Sequence, residues 1–255
     1  MTLLQVQNLS VSYGNQRVLS DFSLTLNQGE TVALIGSSGS GKTTAALALL
    51  GLLSPSARVD VRHATFEGID LFPRHASPLL GHRIGCVFQD PRASLTPHIR
   101  VGDQIDEAFE VSGVPPADRR QKTVLLLDEL GVPDARARSD AYPHELSGGL
   151  CQRVAIAMAL AGMPACLVAD EPTTALDVTV QIQVLKILRR MTEQRRVATL
   201  LISHDMGVVA ALADRVIVLD HGSVVEEGTV SNVLESPRHP ATQALLAHAS
   251  IGGRQ

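Results

Sequence analysis

A glycine-rich loop is the part of this 255-residue sequence whose residue types and spacing point most directly to chemistry. The loop covers residues 36–44, GSSGSGKTT, and follows the apolar run of residues 31–35. A G-x-x-x-x-G-K-[ST] pattern between a strand and a helix binds nucleotide phosphates, because glycines allow backbone N–H groups to turn toward the anion. The N-terminus of the following helix adds partial positive charge. The sequence therefore predicts a phosphate-binding loop.

The residues of this loop have separate predicted roles. Lys42 is expected to contact the β- and γ-phosphates, and Thr43 is expected to offer its hydroxyl to Mg²⁺. The residues predicted to surround the phosphates are Gly36, Ser37, Ser38, Gly39, Ser40, Gly41, Lys42, Thr43 and Thr44. A glycine- and serine-rich turn of no function is the alternative, and the flanking strand and helix patterns argue against it.

Two adjacent carboxylates, Asp170 and Glu171, follow the apolar run of residues 165–169. Carboxylates at the end of a buried strand are costly unless they meet a cation or hydrogen-bond donors. The magnesium ion of the phosphate-binding loop is the simplest such cation. Asp170 is predicted to hold the metal through its water shell, and Glu171 is predicted to orient and deprotonate the attacking water. A structural turn that carries two exposed acids is the alternative.

Two further polar residues follow runs that read as core strands. Gln89 comes after residues 84–88, and His204 comes shortly after residues 197–202. In a parallel α/β sheet, ligands bind at the carboxyl ends of the strands. Gln89 therefore either points at the metal and the attacking water or caps a turn. His204 is expected where the strand ends converge, whereas most of the nine histidines read as surface residues.

Two other segments have both a functional and a structural interpretation. Tyr13, at the end of the first strand pattern, either stacks on a nucleotide base or is an ordinary cross-strand tyrosine. Ser147 is a natural N-cap before Gly148 and Gly149, and a glycine-rich helix start is also an anion site. A plain capped helix is the alternative for this second segment.

Hydrophobic periodicity predicts the elements that position these residues. Alternation between residues 4 and 26 predicts an antiparallel β layer, and helical periodicity between residues 94 and 161 predicts an inserted helical region. Residues 215–227 predict a closing hairpin, while residues 52–80 give no clear element. The arginines within residues 189–196 are expected to form a solvated helix end. Together these patterns indicate an α/β protein.

Composition argues against several classes of function. The net charge is −4 and no Lys/Arg run forms a basic stripe, which argues against nucleic acid as the main partner. The three cysteines lack C-x-x-C spacing, so they indicate neither a disulfide framework nor a zinc site, and a reducing compartment fits. We expect no secretory signal, no run of the roughly 20 apolar residues that span a bilayer, and solubility of the chain on its own.

Seven features follow one another along the chain: Tyr13, the loop at 36–44, Gln89, Leu146-Ser147-Gly148-Gly149, Asp170-Glu171, Ala175-Leu176-Asp177 and His204. In this order they resemble the ATP-binding subunits of ABC transporters over almost the whole chain. The resemblance implies ATP and Mg²⁺ as cofactors, with Thr43, Gln89 and Asp170 near the metal. It also implies a role for each remaining feature: Tyr13 as the adenine-stacking aromatic, Gln89 as the Q-loop, Ser147 to Gly149 as the signature motif, Glu171 as the catalytic base, Asp177 as the D-loop and His204 as the switch histidine.

The same resemblance implies a fold and a division of the chain. The fold is that of an ABC ATPase, a RecA-like P-loop NTPase core with an N-terminal antiparallel β layer and an inserted α-helical subdomain. Residues 1–93 and 162–235 are expected to form the catalytic core, and residues 94–161 the helical subdomain that carries the signature motif. Residues 236–255 are expected to form a short C-terminal tail.

Three segments resemble the peptide and nickel importer family more closely: residues 89–97, 152–159 and 204–210, together with Pro237-Arg238-His239-Pro240. This resemblance implies a subunit that hydrolyses ATP on the cytoplasmic face of the inner membrane and powers import of peptides or a nickel chelate. The implied partners are a second ATP-binding subunit, identical or different, the integral-membrane permease subunits and, indirectly, an extracytoplasmic binding protein. Leu150-Cys151 departs from the family pattern. The short end after Leu246 resembles the nickel-type subunits.

Two rival functions come from other classes. A soluble ABC-type ATPase that acts on nucleic acid or ribosomes usually carries two P-loops or a long coiled coil, and this acidic chain has neither. A small-molecule P-loop kinase is disfavoured, because Glu171 and His204 suit water as the nucleophile.

Overall fold

The computed structural model describes residues 1–72, 79–173 and 176–252. The chain packs as two compact units, one formed by Met1–Pro78 with Ala198–Gln255 and the other by Leu79–Val197. Each unit carries part of the residues predicted to be functional. Ala175 lies outside the described residues.

The first unit opens with a layer of antiparallel strands. Its elements are β1 (Thr2–Tyr13), β2 (Gln16–Asn27), β3 (Thr31–Gly36), α1 (Lys42–Leu50), β4 (Ala57–Asp60), β5 (His63–Phe66) and β6 (Ile69–Asp70). Strands β1 and β2 form a hairpin whose inward residues, such as Leu9 and Phe22, are fully buried. Strands β4 and β5 pair antiparallel with β1, and β6 pairs with β5. The predicted opening layer is therefore confirmed. Three short strands extend it within residues 57–70, where no clear element was predicted.

The second unit is mainly helical. Its elements are β7 (Ile84–Val87), α2 (Val101–Val111), α3 (Pro116–Glu129), α4 (Ala135–Ser139), a 3₁₀ turn (Pro143–Glu145), α5 (Gly148–Ala161), β8 (Cys166–Asp170) and α6 (Val178–Arg195). Helix α5 is buried along most of its length, and its residues Val154, Ile156 and Leu160 are all inaccessible to solvent. Strands β7 and β8 pair in parallel, and both are apolar, as expected for strands covered on two faces.

The chain then returns to the first unit and completes its parallel sheet. The returning elements are β9 (Ala198–Ile202), α7 (Met206–Leu212), β10 (Arg215–Asp220), β11 (Ser223–Thr229), α8 (Val230–Glu235) and α9 (Pro240–Gly252). Strand β3 lies between β10 and β9 and runs parallel to both. Strands β10 and β11 form the predicted closing hairpin, which is confirmed. Within the described ranges, no helix has both the length and the apolar character needed to cross a membrane.

The arginines at the end of α6 are exposed, as predicted for a solvated helix end, and two of them also make hydrogen bonds to neighbouring helices. Arg190 Nη2 donates a 2.6 Å hydrogen bond to the Glu129 carbonyl oxygen. Arg195 Nη2 lies 3.2 Å from a carboxylate oxygen of Glu129, and its Nη1 donates to the Leu160 carbonyl. These side chains are exposed, but they hold the end of α6 to the ends of α3 and α5.

Candidate functional site

The glycine-rich loop connects β3 to α1 in the first unit, as the sequence predicts. A side chain at Gly36 would place its Cβ 2.2 Å from the Leu219 carbonyl oxygen, so the backbones approach too closely for any other residue. Gly39 and Gly41 have φ of 76° and 101°, which glycine adopts without strain. The Gly222 N–H donates to the Ser40 carbonyl oxygen at 3.1 Å and ties the loop to the hairpin turn.

Lys42 braces this loop from within. Its side chain is 8% exposed, and Nζ donates to the carbonyl oxygens of Gly36 at 2.9 Å and Ser37 at 2.8 Å. The Ser40 hydroxyl is buried without a hydrogen-bond partner among the described residues. A buried ammonium, an unpaired hydroxyl and a helix N-terminus in one loop suit an anionic ligand rich in oxygen atoms.

A small cavity opens over the loop and has room for part of such a ligand. It measures about 160 Å³ and is lined by Val18, Gly39, Gly41, Lys42, Thr43 and Thr44. The exposed loop residues, Ser37, Ser38, Gly39 and Thr43, present backbone and hydroxyl groups to solvent. The cradle therefore fits the phosphates of a nucleotide.

Tyr13 and His204 belong to the same unit as the loop. Tyr13 is the last residue of β1, partly exposed, and its backbone lies opposite Gln16 and Ala57. His204 is exposed and follows β9, where Ile202 pairs with Leu34 of β3. The loop and His204 therefore leave the carboxyl ends of neighbouring parallel strands. Base stacking by Tyr13 stays a prediction.

Gln89 and Glu171 meet in the second unit. Strands β7 and β8 pair with Val87 opposite Ala169, and Gln89 and Glu171 each lie two positions beyond that pair. Gln89 Nε2 donates a 2.9 Å hydrogen bond to Glu171 Oε2. The sequence predicted a function for both residues but did not predict this contact.

The backbone of Glu171 is strained. Its φ of 48° lies in the left-handed region, which glutamate rarely adopts. Strain of this kind costs of order 1–3 kcal/mol and concentrates at active sites, where the surrounding structure maintains it. Asp170 precedes it as the last residue of β8 and is partly buried.

Asp170 and Gln89 of the second unit offer carboxylate and amide oxygens, and Thr43 of the first unit offers a hydroxyl. These are hard ligands of the kind that Mg²⁺ takes a few at a time while it keeps waters and phosphate oxygens. Among the residues that the structure describes, no group of three or more His, Cys, Asp and Glu could hold a metal on its own. The residues present in each unit therefore fit a nucleotide-bound Mg²⁺, which needs few protein ligands, better than a protein-enclosed ion.

The signature segment begins helix α5. Ser147 is exposed, and its Oγ accepts from the Leu150 N–H at 3.4 Å, which confirms the predicted N-cap. A Cβ on Gly149 would lie 2.6 Å from Val180 Cγ1, whereas a Cβ on Gly148 would meet nothing within 4 Å. Gly149 thus allows α5 to pack closely against α6, and Gly148 stays open.

Some residues have structural roles that the sequence analysis did not identify. Asp177 caps α6, because its Oδ1 accepts from the Val180 N–H at 3.0 Å. Arg92 donates from Nη2 to the Leu146 carbonyl oxygen at 3.2 Å, next to the signature serine. Aspartate is a preferred N-cap residue, so the sequence does contain a signal for the cap at Asp177. The contact between Arg92 and Leu146 joins residues 54 positions apart, and no local pattern indicates it.

Comparison with known proteins places this chain in one family. The family model described as ABC transporter matches residues 19–174. The dipeptide transport ATP-binding protein DppD of Escherichia coli (strain K12) is 44% identical over 254 residues, which cover 96% of this chain and 78% of that protein. The oligopeptide transport ATP-binding protein OppD of Salmonella typhimurium is 42% identical over 252 residues, 96% of this chain and 75% of that protein.

Solved structures agree with the sequence relatives. A dimeric structure of the ATP-binding cassette MJ0796, in a post-hydrolysis state bound to ADP and Pi, matches with a TM-score of 0.77 and 26% identity, and covers 89% of this chain and 99% of that one. The structure of cbiO1 from Clostridium perfringens, part of the ABC transporter complex cbiONQ, matches with a TM-score of 0.78 and 26% identity, and covers 99% of this chain and 95% of that one. The predicted ABC ATPase fold is confirmed. This chain belongs to the ABC transporter family and is one of its ATP-binding cassettes.

Proposed function

We propose that this cassette hydrolyses ATP to power an importer of small peptides. The two relatives named above carry dipeptide and oligopeptide transport in their names, which favours peptides over a nickel chelate as the cargo. The net charge of −4 counts against the rival assignment to nucleic acid or ribosomes.

The phosphate-binding loop is proposed to hold the triphosphate of ATP. Its backbone N–H groups and the N-terminus of α1 face the phosphates, and Lys42 exchanges its carbonyl contacts for the β- and γ-phosphate oxygens. Thr43, Gln89 and Asp170 are the proposed ligands of Mg²⁺, which supplies positive charge to the phosphates when bound. Tyr13 is proposed to stack on the adenine.

Glu171 is proposed to be the general base, and its contact with Gln89 is the observation that carries this assignment. The Gln89 amide donates to one carboxylate oxygen and so fixes the orientation of the carboxylate, while the strained backbone holds Glu171 beyond the end of β8. A carboxylate held in this way can take a proton from water as the water attacks the γ-phosphate. His204 and Asp177 are proposed to complete the site, His204 near the attacked phosphate and Asp177 near the partner subunit.

The working form is proposed to be a dimer attached to membrane subunits. The related cassette MJ0796 is dimeric, and the open Ser147 and Gly148 at the start of α5 suit the γ-phosphate bound by a second subunit, identical or different. Permease subunits would hold the dimer on the cytoplasmic face of the inner membrane, with an extracytoplasmic binding protein acting on them from the other side.

An exposed apolar groove in the second unit supports a protein partner of this kind. Its volume is about 460 Å³, and Leu125 and Met163 on its wall are 55% and 54% exposed. Lys122 and the Glu129–Arg195 ion pair stand at its rim. Contiguous apolar surface with a polar rim is typical of protein interfaces.

Replacement of Glu171 by glutamine tests the proposed function. The amide of Glu171→Gln keeps an oxygen that can accept from Gln89, so ATP affinity and the folded structure should be retained. Loss of the base should lower kcat for ATP hydrolysis by at least about 10²-fold. Turnover and nucleotide affinity should be measured on the same preparation of the assembled transporter.

Glu193→Gln is the matched control, since Glu193 is an exposed glutamate of the same unit, on α6, paired with Arg189. Turnover of Glu171→Gln close to that of the control would remove the catalytic role from Glu171. His204 would then be the first alternative.

A further inference from the structure

The loop that follows Gln89 is a tightly braced turn. Asp90 Oδ1 accepts from the backbone N–H groups of Arg92 at 2.9 Å and Ala93 at 3.2 Å. The Asp90 carbonyl oxygen accepts from both the N–H and the hydroxyl of Ser94. Four hydrogen bonds therefore hold residues 90–94 in one turn directly after Gln89.

The Arg92 side chain reaches from this turn to the signature helix. Its Nη2 donates to the carbonyl oxygen of Leu146, which is 3% exposed and immediately precedes Ser147. That carbonyl and the Ser147 N–H belong to one planar peptide unit. A hydrogen bond to the Leu146 carbonyl oxygen therefore fixes the orientation of the peptide plane that leads to the Ser147 Cα.

Cys151 lies beneath the same peptide unit and helps to hold it. This thiol is fully buried, donates to the Pro143 carbonyl oxygen at 3.4 Å and lies 4.0 Å from the Leu146 carbonyl oxygen. Burial raises the pKa of the Cys151 thiol, and the nearby Arg92 guanidinium partly offsets that rise. At Leu150-Cys151, where the sequence departs from the family pattern, the small Cys151 side chain thus lies next to the Leu146 carbonyl oxygen that Arg92 contacts.

We propose that Arg92 is a positioning residue that links the Gln89–Glu171 pair to the signature serine. Movement of Gln89 at the catalytic base is transmitted through the braced turn and the Arg92–Leu146 hydrogen bond to Ser147 and the first amides of α5. The proposal rests on the assigned roles of Glu171 and Ser147 and names a connection between them. Arg92 itself touches neither nucleotide nor attacking water in this scheme.

The test compares Arg92→Met, Arg92→Gln and Arg92→Lys in the assembled transporter. Methionine removes every donor, whereas glutamine and lysine can still donate one hydrogen bond to the Leu146 carbonyl. We expect Arg92→Met to lower kcat by about 10- to 100-fold, the loss that a displacement of about 1 Å causes, with ATP affinity unchanged. Glutamine and lysine should recover part of the loss. If Arg92→Met does not fold, Arg92→Ala, which also removes every donor, takes its place in the comparison.

A second measurement does not depend on activity. Amide hydrogen exchange at residues 147–151 should be faster in Arg92→Met than in wild type, because the start of α5 loses its anchor. The control Arg136→Met, at an exposed arginine of the same unit, should leave exchange there unchanged. Unchanged exchange in Arg92→Met would overturn the proposal.

A double-mutant cycle with Gln89→Ala tests the connection itself. If both residues serve one link, the double variant should hydrolyse ATP no more slowly than the slower single variant. Losses that multiply would overturn the proposal. So would wild-type kcat in Arg92→Met, provided that Glu171→Gln is inactive in the same assay. If Glu171→Gln is as active as wild type, the proposed catalytic function fails instead.

Discussion

At the scale of single residues, Lys42 has two tasks in one position. Its ammonium donates to two carbonyl oxygens of its own loop, and the same group is proposed to contact phosphate. The buried lysine therefore helps to hold the shape of the loop. A loop that is held in shape needs less ordering when it binds a ligand.

The first prediction at this scale is that Lys42→Ala loses tight ATP binding. A charge-assisted hydrogen bond contributes about 1.5–3 kcal/mol, so the dissociation constant should rise by about 10- to 150-fold. Calorimetric titration with ATP gives the value, with Lys186→Ala on the exposed side of α6 as the control. If Lys42→Ala binds ATP as tightly as Lys186→Ala does, the assignment of the phosphate-binding loop is wrong.

Structural predictions at the residue scale were confirmed where the information was local. The strand, loop and helix around residues 36–44 and the Ser147 cap depend on neighbours a few positions away, and the sequence therefore indicates both. Phosphate binding by the loop stays a prediction. The Gln89–Glu171 hydrogen bond joins residues 82 positions apart, and it depends on the pairing of β7 with β8 in one register. Nothing in either local pattern specifies that register.

At the scale of elements, the contact between α5 and α6 depends on one glycine. Gly149→Ala would put a methyl group 2.6 Å from Val180 Cγ1, so it should lower the free energy of unfolding by about 1–3 kcal/mol. Gly148→Ala meets nothing within 4 Å and should raise the free energy of unfolding by up to about 1 kcal/mol through helix propensity. Urea unfolding of the two variants measures both. Equal free energies of unfolding for the two variants would mean that the Val180 side chain changes its rotamer at no energetic cost.

Element predictions failed where strands are short and polar. Strands β4 to β6 have two to four residues each, and their exposed positions carry residues such as Arg58 and His63. Strands β4 and β5 form because β1 offers them a long edge at least 44 positions away in sequence, and β6 then pairs with β5. The burial alternation that identifies a strand needs more residues than these segments contain. The twelve-residue strands β1 and β2 gave a clear alternation, and their layer was predicted correctly.

At the scale of the whole molecule, the proposed shared site predicts complementation between two inactive subunits. Ser147→Arg should leave ATP binding by the Lys42 loop of the same chain intact but abolish hydrolysis and ATP-driven dimerisation. When Ser147→Arg and Lys42→Ala subunits are mixed, some dimers carry both defects in one site and leave the other site intact. Partial ATPase activity should therefore return in the transporter assembled with its membrane subunits.

The control for this experiment is each variant alone, folded and inactive. Mixed dimers must be detected directly, for example through different affinity tags on the two chains. If mixed dimers form and no ATPase activity returns, the proposal of a site shared between two subunits is wrong. This conclusion holds for dimers whose two sites can hydrolyse ATP independently.

The three thiols, two of them buried and that of Cys86 partly buried, make this protein a convenient host for site-specific probes. Burial raises the pKa of Cys86 and of Cys166 to about 12, and it also raises the pKa of Cys151. Alkylating reagents attack the thiolate, so at neutral pH the native cysteines react slowly. A single cysteine introduced at an exposed position could then carry a spin label or a fluorophore in the otherwise unaltered chain. Opening and closing of the working transporter could be followed from such a label without first removing the natural cysteines.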